Sequence, residues 1–171
     1  MTGVVFRLDP DLSIHRVKNS VSIPNGMSWT LDNKFAYVTD SPTGKIMKYP
    51  YNLETGEIGW GQGKTFFQCP YVGGVPDGHA QDEEGFFWVA CFGTGKVVRV
   101  NLEGEVVAEI ECPTRCVTCP GFCGTDLFIT SAAEEDPEKY AWSTKHQGQL
   151  FKIDVGVRGA PLNRFKITGK A

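Results

Sequence analysis

The feature that most constrains this 171-residue chain is that it repeats itself. The segment opening Pro24-Asn25-Gly26 carries Tyr37-Val38, then Gly44-Lys45-Ile46, then Lys48-Tyr49. The segment opening Pro76-Asp77-Gly78 carries Trp88-Val89, then Gly95-Lys96-Val97, then Arg99-Val100. From position 26 to 78 is 52 residues and from 37 to 88 is 51, so the phase holds along the whole unit. A third, degenerate copy runs through Leu127-Phe128-Ile129-Thr130 and Gly148-Gln149-Leu150-Phe151-Lys152-Ile153, and part of an earlier one opens the chain as Gly3–Asp9. Self-similarity at this period marks stacked units that cannot bury their faces alone.

Each unit reads as short strands bounded by Gly, Pro, Asn or Asp, and no window holds an apolar period of 3.6. The clearer copies divide into Gly26–Trp29, Phe35–Asp40, Lys45–Tyr51 and Lys64–Cys69, then Gly78–Gln81, Phe86–Cys91, Lys96–Leu102 and Glu105–Ile110. The acidic stretch Ala132–Tyr140, interrupted by Pro137, is an excursion between strands. Four antiparallel strands in about 40–50 residues is the blade of a β-propeller, whereas a sandwich would not require the repeat. The expected fold is therefore all-β, a single partial propeller domain over residues 1–171. Residues 1–20 end one blade, 21–72 and 73–112 form two more, and 113–171 form the last. That is about three and a half blades, so the ring is expected to be incomplete and to self-associate through its open blade faces.

Net charge is −3 with no basic run, which argues against a nucleic-acid partner. No apolar run approaches the roughly 18–20 residues of a membrane span. The opening residues lack a basic segment followed by an apolar one, so no signal peptide is expected and the expected location is cytoplasmic. Cys112, Cys116, Cys119 and Cys123 could be read as zinc ligands. Cys119 and Cys123, however, lie on one face of a strand, and buried or half-exposed free thiols are the plainer reading.

Asn25 and Asp77 hold the same place in two successive units, each before a Gly where a loop enters an innermost strand. Taken singly, Pro-Asn-Gly and Pro-Asp-Gly are common turn sequences. Taken together, they could bring an amide and a carboxylate oxygen to the mouth of a central channel, as hard cations prefer. His79 could line the same mouth, and Asp40 could cap a turn.

Three stretches carry a resemblance to a known family. They are Ile23-Pro24-Asn25-Gly26-Met27-Ser28-Trp29 with Tyr37-Val38-Thr39-Asp40-Ser41, Pro76-Asp77-Gly78 with Asp82-Glu83-Glu84-Gly85 and Trp88-Val89-Ala90, and Gly121-Phe122-Cys123-Gly124 with Leu127–Ala132. Over residues 3–155 the chain resembles the C-terminal part of the gluconolactonase, regucalcin (senescence marker protein) and luciferin-regenerating enzyme family. The resemblance implies a six-bladed propeller and one divalent cation (Ca²⁺, Zn²⁺, Mn²⁺ or Mg²⁺) at the channel mouth. It implies hydrolysis of a sugar lactone, with Asn25 and Asp77 as metal ligands and Asp77 also as general base. The family's third ligand, a Glu of the first blade, has no counterpart here, and Cys123 stands where Gly is usual. The chain by itself is thus expected to be a truncated, inactive form; a non-catalytic regucalcin-like calcium-binding protein is the alternative.

Overall fold

The computed structural model describes residues 2–168. It contains four antiparallel sheets, each built from one contiguous stretch of chain. The first pairs β1 (Gly3–Leu8) with β2 (Ile14–Val21). The second runs β3 (Pro24–Trp29), β4 (Phe35–Asp40), β5 (Lys45–Asn52) and, paired to β5 on its far side, β7 (Lys64–Gln68). A two-residue β6 (Glu57–Ile58) folds back on the end of β5. The third sheet is β8 (Val75–Gln81), β9 (Phe87–Phe92), β10 (Lys96–Val100) and β11 (Val106–Glu111), and the fourth is β12 (Val117–Cys123), β13 (Asp126–Ser131) and β14 (Leu150–Asp154).

The inner strands of the last three sheets stack on one another, β3 against β8 and β8 against β12. The third sheet is consequently buried on both faces, and the period of two sorts its side chains. Phe87, Val89, Cys91, Val98 and Val100 pack with Tyr37, Ile46 and Phe66 of the second sheet. Trp88, Ala90 and Val97 face Val117, Leu127 and Ile129 of the fourth. Phe66 meets Tyr37 and Phe87 edge-on at 4.7 and 5.0 Å between centroids, and Tyr37 and Phe87 lie tilted at 4.5 Å. Phe6, Leu8 and Ile14 of the first sheet remain exposed.

Two buried carboxylates tie the connections down. Asp82, in the β8–β9 turn, is fully buried. It accepts hydrogen bonds from the backbone N–H of Glu84 and Phe86, from Trp88 Nε1 at 3.0 Å and from Arg99 Nε at 2.9 Å. Glu134 anchors the excursion expected at 132–140, which closes with a single helical turn, α1 (Ala141–Thr144). Arg115 Nε lies 3.1 Å from both Glu134 oxygens, and the Tyr140 ring covers the guanidinium at 4.1 Å. The Arg115 backbone N–H donates to Ser143 Oγ of α1.

The Arg115 hydrogen bonds hold the Glu134 carboxyl down at about 2, against the burial that raises it. Because its folded value is depressed below the ordinary 4.5, the stability it contributes is present above pH 4.5 and lost as pH falls toward 2. After solvent screening that contribution is about 1–2 kcal/mol. Thermal melts between pH 6 and 2.5 should therefore fall more steeply for the native chain than for Glu134→Gln; parallel curves would show that the pair contributes nothing.

Candidate functional site

The motifs Asn25-Gly26 and Asp77-Gly78 were expected in loops leading into the inner strands; both lie inside them, in β3 and β8. The ladder shows how. Pro24 pairs with Asp40 and Met27 with Val38, so Asn25 and Gly26 together stand against Thr39. Pro76 pairs with Cys91 and His79 with Val89, so Asp77 and Gly78 stand against Ala90. In β12, Val117 pairs with Ser131 and Cys119 with Thr130, which makes Thr118-Cys119 the corresponding pair. Each inner strand thus carries a β-bulge at the same phase, and a bulge re-aims a side chain that regular pleating would commit to a sheet face. Pro24 and Pro76 are tolerated because these strands form the inner edges of their sheets.

The glycines serve close approach rather than an unusual backbone angle. A Cβ on Gly26 would stand 2.5 Å from His79 Nδ1 and 2.8 Å from the Asp77 carbonyl oxygen. One on Gly78 would stand 2.5 Å from Cys119 Sγ and 2.9 Å from the Thr118 carbonyl oxygen. Neighbouring inner strands meet at these bare positions, and this brings Asn25 and Asp77 side by side.

The Asp77 carboxylate is half-buried, and burial pushes its pKa above the ordinary carboxylate value. Hydrogen bonds from the Asn25 side chain and the Gly78 backbone oppose that shift without cancelling it, and no cation is among the groups acting on it. A desolvated carboxylate beside an amide, with no Lys or Arg among the described residues to neutralise it, is chemistry that suits a divalent cation. Asn25 and Asp77 could each offer one oxygen. Among the described residues no three His, Cys, Asp or Glu side chains converge on one point.

His79 is a wall residue. It is buried, its Nε2 lies 2.8 Å from Ser28 Oγ, and its ring meets Phe87 edge-on. Burial lowers its pKa to about 4, so it is neutral at neutral pH. Among the described residues its Nδ1 has no hydrogen-bond partner. The Asp40 carboxylate accepts the backbone N–H groups of Ser22 and Ile23. Cys112 is half-buried, Cys116 is buried with its thiol toward Glu134, and Cys119 and Cys123 are exposed on β12.

Sequence reasoning missed the two buried carboxylate hubs and the neighbourhood of Asp77 and Cys119. A cavity of about 1220 Å³ lies elsewhere, between the first two sheets, with Phe6, Met27, Trp29 and Tyr51 in its wall. Neither Asn25 nor Asp77 lines it, and its wall is mainly apolar. No helix among the described residues is long and apolar enough to cross a membrane.

Residues 1–133 match the model of the SMP-30/gluconolactonase/LRE-like region. The chain is 33% identical to regucalcin of Xenopus laevis over 168 residues, covering 95% of this chain and 56% of that protein. It is 32% identical to pentonolactonase XacC of Haloferax volcanii over 166 residues, covering 93% and 56%. A solved luciferin-regenerating enzyme superposes with a TM-score of 0.84 at 27% identity, covering 93% of this chain and 54% of that one. The chain spans about half the length of the curated relatives it matches. Its antiparallel sheets share the β-propeller architecture of these proteins, and it belongs to the SMP-30/gluconolactonase/LRE-like family.

Proposed function

We propose that the chain is a divalent-metal-dependent sugar-lactone hydrolase of the gluconolactonase kind, with Asn25 and Asp77 as metal ligands and Asp77 as general base. The observation that carries this reading is the Asp77 carboxylate, desolvated, free of any cationic partner among the described residues and in contact with Asn25. The pentonolactonase relative supports the substrate class.

A divalent cation bound there would polarise the lactone carbonyl and stabilise the oxyanion formed as water attacks. Asp77 takes the proton of that water, a task helped by a carboxylate whose basicity burial has raised. Asn25 orients the carboxylate through its amide. His79, neutral and buried, shapes the wall and carries no proton at neutral pH.

In this reading residues 1–20, 21–72, 73–112 and 113–171 are parts of about three and a half blades of a six-bladed ring, and the four contiguous sheets support that division. The exposed Phe6, Leu8 and Ile14 support self-association. The six unbridged cysteines support a reducing, cytoplasmic setting. The Glu that the family resemblance assigns to the first blade has no counterpart among these residues, so a cation held by Asn25 and Asp77 alone is under-coordinated.

Little turnover is therefore expected from the 171-residue chain in a pH-indicator assay on δ-gluconolactone with Ca²⁺, Zn²⁺ or Mn²⁺, corrected for spontaneous hydrolysis. Strong metal-dependent turnover, abolished by Asp77→Asn, would sink the under-coordination. Metal binding with no turnover, even once the preceding blades are restored, would favour the calcium-binding alternative.

A further inference from the structure

We infer that Cys69 and Cys91 are a modification site: a buried thiol pair that closes reversibly to a disulfide, stapling the second sheet to the third, when the chain meets a small disulfide of the glutathione class. The inference is independent of the lactonase reading, since neither residue belongs to the channel mouth.

Topology is the first ground. Cys91 lies in β9, on the face of the third sheet that packs against the second, together with Phe87 and Val89. Cys69 directly follows β7 of the second sheet, where its N–H donates to the Gly44 carbonyl oxygen. Both side chains belong to the one buried cluster between these sheets. Cysteine packs well as a small hydrophobe, so burial alone would account for either residue. It does not account for their meeting. The Cys91 thiol donates a hydrogen bond to the Cys69 sulfur, and close approach of the two sulfurs is what a bridge requires.

The connection between the two strands is the second ground. Gly74 stands beside the pair, where a Cβ would lie 3.3 Å from Cys69 Sγ and 2.3 Å from Thr94 Cγ2. Thr94 in turn donates through Oγ1 to the Cys91 carbonyl oxygen at 2.6 Å. Pro70, Val72 and Gly73 of the same turn are exposed. The pair therefore sits under a short surface turn, not in the depth of the core. Cys69 keeps 9% exposure and Cys91 none, so the attack on a small reagent falls to Cys69. The hydrogen bond from Cys91 favours the Cys69 thiolate, the nucleophilic form, and holds its pKa below the ordinary thiol value against burial.

The exchange balances as follows. The Cys69 thiolate attacks one sulfur of the small disulfide, forming a mixed disulfide and expelling one small thiolate, which takes up the proton Cys69 had released. The Cys91 sulfur then attacks the Cys69 sulfur, and its proton leaves with the second small thiol. Two electrons pass from the protein thiols to the small disulfide. The product ties together the two sheets whose inner strands carry Asn25 and Asp77.

The test treats the reduced, folded full chain with oxidised glutathione, blocks the remaining thiols with iodoacetamide and maps the products by mass. Both cysteines fall in the tryptic peptide Thr65–Lys96. That peptide should emerge unlabelled and lighter by two hydrogens, with its halves still joined after cleavage at Glu84, and dithiothreitol should restore both labels. The bridged chain should melt about 5–10 °C above the reduced one, as a staple across a loop of this size implies. Cys91→Ala should stop at a glutathione adduct on Cys69, while Cys119→Ser with Cys123→Ser should bridge as the native chain does. If Cys91→Ala does not fold, the map and the melt of the native chain still decide. Label on both Cys69 and Cys91 after treatment, an adduct that persists on native Cys69, a bridge to any other cysteine, or a bridged chain that melts no higher than the reduced one overturns the proposal.

Discussion

Replacing Asp82 by alanine should cost about 3–5 kcal/mol, the usual result of removing one partner from a buried charge pair. Against a typical total of about 5–15 kcal/mol this is a large share. It corresponds to a fall in melting temperature of about 10 °C for a chain of this size. The cost is high because the loss is multiple. The N–H groups of Glu84 and Phe86, the Trp88 indole and the Arg99 guanidinium all donate to this one side chain. Glu84 still meets Arg99, but from the exposed side. Asp82→Asn keeps an acceptor oxygen and should cost less. Circular dichroism melts of both variants decide the matter, and an alanine variant melting within 2 °C of the native chain would refute the role given to Asp82.

The second large effect concerns Asp77. In a full ring, made by joining this chain to the preceding blades of a relative, Asp77→Asn should lower lactone hydrolysis by ~10²–10⁴, the usual loss on removing a general base. Weakened metal binding adds to that loss. Asn25→Asp keeps an oxygen ligand and adds charge, so it should retain a metal while shifting the order of preference among ions. Steady-state rates at saturating metal separate the two effects. An Asp77→Asn enzyme within about threefold of the parent would remove Asp77 from the chemistry.

How much of this was legible beforehand depended on whether a feature repeats along the chain or converges across it. The strands of the second and third sheets followed from matching segments 51–52 residues apart, to within a few residues at each end. Asn25 and Asp77 stood out because they occupy one phase of that repeat. The bulges did not, because Pro-Asn-Gly and Pro-Asp-Gly spell turns in local chemistry, and only the ladder shows two residues standing against one. Arg115 and Glu134 lie 19 positions apart, with nothing periodic linking them. Likewise no pattern in the sequence places Cys119 beside Gly78, since that contact arises from stacking one inner strand on the next.

The bulge at the start of each inner strand has a consequence for descent. A bulged residue is re-aimed off the packed sheet face, so changing its side chain leaves the buried faces behind it untouched. Positions 25, 77 and 118 hold Asn, Asp and Thr on three strands whose pairing otherwise runs in the same phase. Mutation can therefore sample donors at the mouth one blade at a time without moving a strand. Ion preference and substrate can thus be altered at these few positions while the buried faces behind them keep their packing.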